Sequence, residues 1–213
     1  EHKEPLLKLN LRQFADETAS ESPAPGGGSI AAYVGALGAA LATMVANLSA
    51  HKRGWDDKWA FFSEIAATGQ HLKDALLKKV DEDTAAFNAI MAAMQLPKST
   101  EKERNFRKSV LKAATIQAIE IPLSTAELSM NSFEILKKMA ESGNPASVSD
   151  AGVGALCARA AVHGAVLNVK INLSGFDDVA YVKSISERGT FLTQSADKAE
   201  VEIMHIVHSK IKD

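Results

Sequence analysis

From Ser29 to Ser49 the chain carries no charged side chain, and its small residues Gly35, Gly38, Ala39 and Ala42 recur at spacings of three and four. A helix with that pattern is apolar all round, so it is surrounded either by protein or by lipid. The length is near the roughly 18 to 20 apolar residues that cross a bilayer. The composition argues otherwise. Seven residues of the run are Ala and two are Gly, which gain little on transfer to lipid compared with Leu or Ile, and Thr43 and Asn47 lie within it. With no aromatic belt and no second hydrophobic span expected beside it, the stretch predicts a central buried helix packed against its neighbours at backbone distance.

The rest of the composition fits a helical bundle. The 213 residues include 35 Ala but only 13 Gly and 6 Pro, and alternating β-branched or aromatic runs between turn dipeptides are nearly absent. Breakers cut the chain into segments with helical periodicity: Leu11 to Ala19 behind an Asn10 cap, the uncharged run, Trp55 to Met94, Glu101 to Glu120, Leu123 to Glu141 ending at Gly143, Val148 to about Asn172, and Asp178 to Lys210. Pro122 predicts a kink or interruption, so six or seven helices form one all-α bundle. Residues 1–8 read as a linker or cut edge, and residues 9–213 as one helical domain. With 24 basic and 26 acidic side chains the formal charge is −2, which disfavours nucleic acid and an anionic membrane surface as partners. The single cysteine, Cys157, fits a reducing, cytoplasmic setting.

Some residues do not fit a purely structural role. On a helix, Leu72, Leu76, Val80, Asp83, Phe87, Ile90 and Met94 project onto one stripe, with Asp81 on the opposite side and Glu82 on a flank. Asp83 alone of the three acids therefore faces inward. Burial raises a carboxyl pKa and equips it to donate a proton near neutral pH; the competing reading is an acid bonded to an Arg or a backbone group in the core. Farther on, Asp150, Gly154, Cys157, Ala161, Gly164, Asn168 and Asn172 share a face, a groove of tiny residues with polar ends that admits another backbone or a flat ligand. Asp150 and Asn168 are about 27 Å apart along a helix, too far for one small pocket unless a second subunit contributes. Asp150 also suits the first turn of a helix, with Ser147 and Ser149 as caps.

Gly26-Gly27-Gly28-Ser29 ahead of a helix can present backbone N–H groups to an anion or a ring carbonyl, with Ser29 as a plain N-cap the alternative. Lys52 and Arg53 complement a helix C-terminus or hold an acidic ligand tail. The six histidines have no metal-ligand spacing, so no metal site is expected, and Cys157 reads as a packed thiol.

Taken in order, Pro23-Ala24-Pro25-Gly26-Gly27-Gly28-Ser29, Gly35-Ala36-Leu37-Gly38-Ala39-Ala40-Leu41, Asp81-Glu82-Asp83 with Ala86-Phe87, Leu96-Pro97-Lys98, Ile121-Pro122-Leu123, Gly143-Asn144 with Ser149-Asp150, and Asn168-Val169-Lys170-Ile171-Asn172-Leu173 resemble the cyclodeaminase domain of formiminotransferase-cyclodeaminase and the related methenyltetrahydrofolate cyclohydrolases. The resemblance spans Leu9 to Lys210. It implies an all-α domain that dimerises and binds a tetrahydrofolate. Asp83 would be the proton donor, with Gly26, Gly27, Gly28, Ser29, Asn144, Ser149, Asp150, Asn168 and Asn172 around the folate. No metal and no cofactor beyond the tetrahydrofolate substrate are implied.

The implied activity is conversion of formiminotetrahydrofolate to methenyltetrahydrofolate with release of ammonia, a step of one-carbon metabolism, with a formiminotransferase as a fused or associated partner. Hydrolysis of methenyltetrahydrofolate is the alternative in the same pocket, and a non-catalytic folate-binding or dimerisation module is the alternative of another kind. Tail contacts by Lys52 and Arg53 predict that charge reversal weakens polyglutamylated folates more than monoglutamate.

Overall fold

The computed structural model describes residues 5–211. Six helices make the bundle: α1 Leu11–Thr18, α2 Gly27–Ala50, α3 Trp59–Gln95, α4 Glu101–Ser142, α5 Val148–Leu173 and α6 Val179–Lys210, with 3-10 turns at Leu6–Lys8, Asp56–Lys58 and Pro145–Ser147. No strand occurs among the described residues, as the composition predicts. Local signals set several ends. Asn10 and Gln13 form a reciprocal capping box at α1, Thr100 and Glu103 another at α4, and the Gly143 N–H closes α4 onto Met139 O.

The uncharged helix is the centre of the molecule. α2 packs on α3, α4 and α5, and Ala32, Ala36, Ala39, Ala42, Val45 and Ala46 are buried. A Cβ on Gly38 would lie 2.9 Å from the carbonyl oxygen of Gly154, and one on Gly154 would overlap Leu136 Cδ2. The α2 and α5 backbones therefore touch, which only glycine on both sides permits. Gly164 meets Ala31 and Ala161 meets Gly35, so the groove of tiny residues on α5 receives α2 rather than a flat ligand. One expectation needs correction: α2 is not alone in its hydropathy, since Pro145–Leu173 also has the length and apolar character of a membrane span. Half or more of each apolar stretch is buried in the bundle, consistent with their small residues serving helix packing.

α4 runs unbroken for 42 residues with Pro122 inside it, where the sequence predicts an interruption. Pro122 has no N–H for the carbonyl of Ala118, one turn earlier. The Asn172 side chain supplies the missing donor, Nδ2 to Ala118 O at 2.7 Å, and the helix continues.

The N-terminal segment is also more integrated than a linker. Residues 1–4 lie outside the described residues, but Leu6 is buried beside Val80 and Ala32, and its N–H donates to Asp81 Oδ1 at 2.8 Å.

Candidate functional site

α2 starts at an N-cap glycine, Gly26, that has no side chain with which to close the first turn. Ser29, the third residue of the helix, is therefore not the N-cap that its residue type suggests. The missing cap comes from another helix. Asp83 of α3 accepts the Ser29 backbone N–H and, on Oδ2, the Ser29 hydroxyl at 2.9 Å. An acid at a helix N-terminus meets the positive end of the helix dipole and unpaired N–H groups, which favour its ionised form. Burial works the other way and is the larger effect: it raises the Asp83 pKa above the ordinary carboxylate range, while the two bonds from Ser29 partly oppose it.

The glycine run makes this contact possible. A Cβ on Gly28 would overlap the Asp83 carboxyl, and one on Gly27 would sit 3.2 Å from Asn168 Nδ2. Asn168 is held by its own helix, Nδ2 donating to Gly164 O at 2.9 Å. Gly27, Gly28, Ser29, Asp83 and Asn168 are thus brought together from three helices, with Gly26 beside them. The location is also where the apolar stripe of α3 leaves the core. Leu76 and Val80 are fully buried, whereas Phe87 and Ile90 are half-buried and Met94 is exposed, because α3 runs on past the start of α2.

The other expected site residues lie elsewhere. Asn144 is tied to the opposite end of α2, its N–H donating to Ser49 Oγ at 2.8 Å, and its side chain accepts from Ala146 N. Ser149 and Asp150 begin α5 at that end, and Lys52 and Arg53 follow α2 there. The 24 residues of α2 put about 36 Å between the two groups. The Lys52 ammonium rests over the Trp55 ring, 4.2 Å from its centroid. Asn172, expected at the folate, has its amide engaged with the α4 backbone.

Two features of the site had no local signal. Thr84 Oγ1 lies 3.3 Å from Ser29 Oγ, and the Val80 carbonyl accepts from Ser29 at 3.1 Å. The available clue was a mismatch of needs: a helix start with no side-chain cap and an inward acid with no local partner.

A cleft of about 470 Å³ between α3 and α4, lined by Lys79, Glu82, Ala86 and Glu120 among others, adjoins the next face of α3. Two further clefts lie by Lys112 and Phe176 and by Phe61 and Leu72. None of the three is lined by Asp83. Among the described residues no three His, Cys, Asp or Glu side chains gather as a metal-holding group. The Cys157 thiol is pushed up by burial, consistent with a packed thiol.

Fold and site together define an all-helical domain in which one partly buried acid caps a glycine-rich helix start from a neighbouring helix. The chain belongs to the formiminotransferase-cyclodeaminase family, whose sequence model matches residues 10–190. It is 34% identical over 201 residues to a methenyltetrahydrofolate cyclohydrolase of Methylorubrum extorquens, covering 94% of this chain and 97% of that protein. It is 37% identical over 191 residues to the formimidoyltransferase-cyclodeaminase of Rattus norvegicus, covering 90% of this chain but only 35% of the rat protein. The crystal structure of formiminotetrahydrofolate cyclodeaminase from Thermotoga maritima superposes with a TM-score of 0.84 at 26% identity, over 96% of this chain and 98% of that one.

Proposed function

We propose that the protein is a formiminotetrahydrofolate cyclodeaminase that works in the cytoplasm as a homodimer, with Asp83 as its general acid. The observation that carries this reading is the Asp83 carboxyl, raised in pKa by burial and seated on Gly28 at the start of α2. The likeness to the Thermotoga maritima cyclodeaminase over nearly the whole of both chains supports the substrate.

The chemistry needs such a group. The aminobenzoate nitrogen of the substrate attacks the formimino carbon, a new C–N bond closes the ring, and the proton of the attacking nitrogen passes to the former imino nitrogen. Asp83 gives that nitrogen a second proton, the C–N bond to it breaks, and ammonia leaves with its electron pair as methenyltetrahydrofolate forms. Asp83 then regains a proton from solvent. Acid assistance of this kind contributes roughly 100- to 10,000-fold. The Asn168 amide and the backbone of Gly26 and Gly27 are positioned to orient the folate beside the acid.

The dimer is argued from two features. Leu37, Met44 and Leu48 of α2 and Val153, Leu156 and Leu167 of α5 are exposed, on helices that lie side by side where Gly38 faces Cys157 and Gly154 faces Leu41. A two-fold axis perpendicular to these helices lays the Asn144, Ser149, Asp150, Lys52 and Arg53 end of one subunit over the Asp83 end of the other. The folate then has its second set of polar contacts, and Lys52 and Arg53 are placed to meet its acidic tail.

The end-to-end match to the Methylorubrum extorquens protein favours a second reading, hydrolysis of methenyltetrahydrofolate. Absorbance at the methenyltetrahydrofolate band separates the two. Our reading predicts a rise with ammonia release when formiminotetrahydrofolate is supplied. Decay of supplied methenyltetrahydrofolate above the buffer rate, with no activity on the formimino compound, would establish the hydrolase instead.

A further inference from the structure

We infer that Ser29, with Thr84 behind it, is a positioning residue that holds Asp83 in one place in both of its protonation states. The inference rests on Asp83 being a proton donor, since only a group that gives up and regains a proton needs such a support.

Ser29 is fully buried, and its hydroxyl has one proton to give. Around its oxygen lie Asp83 Oδ2 at 2.9 Å, the Val80 carbonyl at 3.1 Å and Thr84 Oγ1 at 3.3 Å. When Asp83 is a carboxylate, Ser29 donates to Oδ2 and accepts from Thr84. When Asp83 carries its proton on Oδ2, that proton points to Ser29 Oγ, and the Ser29 proton turns to the Val80 carbonyl. A hydroxyl can do both because it is donor and acceptor at once and its hydrogen rotates freely. Thr84 donates to Ser29 in either state. The two acceptors of the Ser29 proton differ by only 0.2 Å in distance, so the change needs a rotation of hydrogen and no movement of heavy atoms. In the substrate complex the acid proton sits on Oδ1, the oxygen resting on Gly28, and Ser29 donates to Oδ2 both before and after that proton is given up.

Among the described residues no charged side chain bonds Asp83 and sets its state instead. α2 contributes none from Ser29 to Ser49, α5 contributes the neutral Asn168, and on α3 itself Lys79 is paired with Glu82 at 2.7 Å while Asp81 accepts the Leu6 N–H.

The test follows the Asp83 carboxyl directly, without substrate, by 13C NMR of aspartate-labelled protein, with the resonance identified by its loss in Asp83→Asn. The bond Ser29 gives the carboxylate is stronger than the one it accepts from the neutral acid, so Ser29→Ala loses more from the charged form and the titration moves up by about one pH unit, the difference between the two bonds. Thr84→Val leaves Ser29 in place and moves it the same way by less, and this variant serves where Ser29→Ala does not fold. In turnover assays, the alkaline limb of kcat/KM shifts with the titration, which a purely structural loss would not cause. A titration unmoved in Ser29→Ala, or in Thr84→Val where that variant must serve, overturns the proposal. If the titration moves but neither folate is turned over, the role of Ser29 stands and the assignment of the reaction falls.

Discussion

Two opposing forces act on the Asp83 carboxyl. Burial disfavours its charge, and the Ser29 N–H and hydroxyl at the α2 N-terminus favour it, with burial the larger. The folded-state pKa therefore lies above the ordinary 3.8. Below that range the group is neutral in both folded and unfolded chains. As pH rises through the folded pKa the unfolded chain has already released its proton, so ionisation lowers the stability of the fold. Asp83→Asn keeps the shape and a cap acceptor but cannot ionise. It should melt at a higher temperature than wild type at neutral pH, with the advantage fading as pH falls into the ordinary carboxylate range; thermal melts of both proteins across pH 3 to 8 measure this. Periodicity alone singles out Asp83 as inward-facing. Its partner is invisible to periodicity because Ser29 is 54 positions away, and a cap supplied by another helix leaves no mark in local sequence.

At the scale of elements, α4 shows how a breaker is tolerated. Pro122 reads as a kink from its own chemistry, yet the helix is continuous because Asn172, 54 residues from Ala118, bonds the carbonyl that the proline leaves open. Asn172→Ala leaves that buried oxygen unpaired and should lower stability by about 1–3 kcal/mol. Pro122→Ala restores a local N–H, so the double variant should recover most of the loss. Denaturant unfolding of the two single variants and the double variant checks the coupling, and additive effects would contradict it. The α2–α5 pair was more legible than α4. The Gly and Ala spacing of α2 announces a close approach, and the structure supplies the partner, Gly154 against Gly38. A helix with small residues on one face declares that something will be near, but not whether it is a backbone or a ligand.

For the whole molecule, the six-helix bundle follows from composition and breakers, whereas the placement of the candidate site residues does not. Asp83 and Asn144 are expected around one folate, yet they lie at opposite ends of α2, because a helix of this length separates its termini by about 36 Å. A symmetric dimer across the exposed α2–α5 face reconciles the two groups. Leu156→Glu puts a charge in that face without touching the core, so it should give a folded monomer by sedimentation with turnover reduced at least about 100-fold, the scale of a lost catalytic positioning contact. A fully active monomer would show that one chain holds the whole site.

The central claim is that Asp83 supplies the proton that releases ammonia, and the most direct measurement is steady-state turnover and folate affinity of Asp83→Asn beside wild type at neutral pH. Turnover should fall at least about 100-fold, as loss of a general acid implies, while the dissociation constant for the folate changes little. Near-normal turnover in Asp83→Asn would contradict the account.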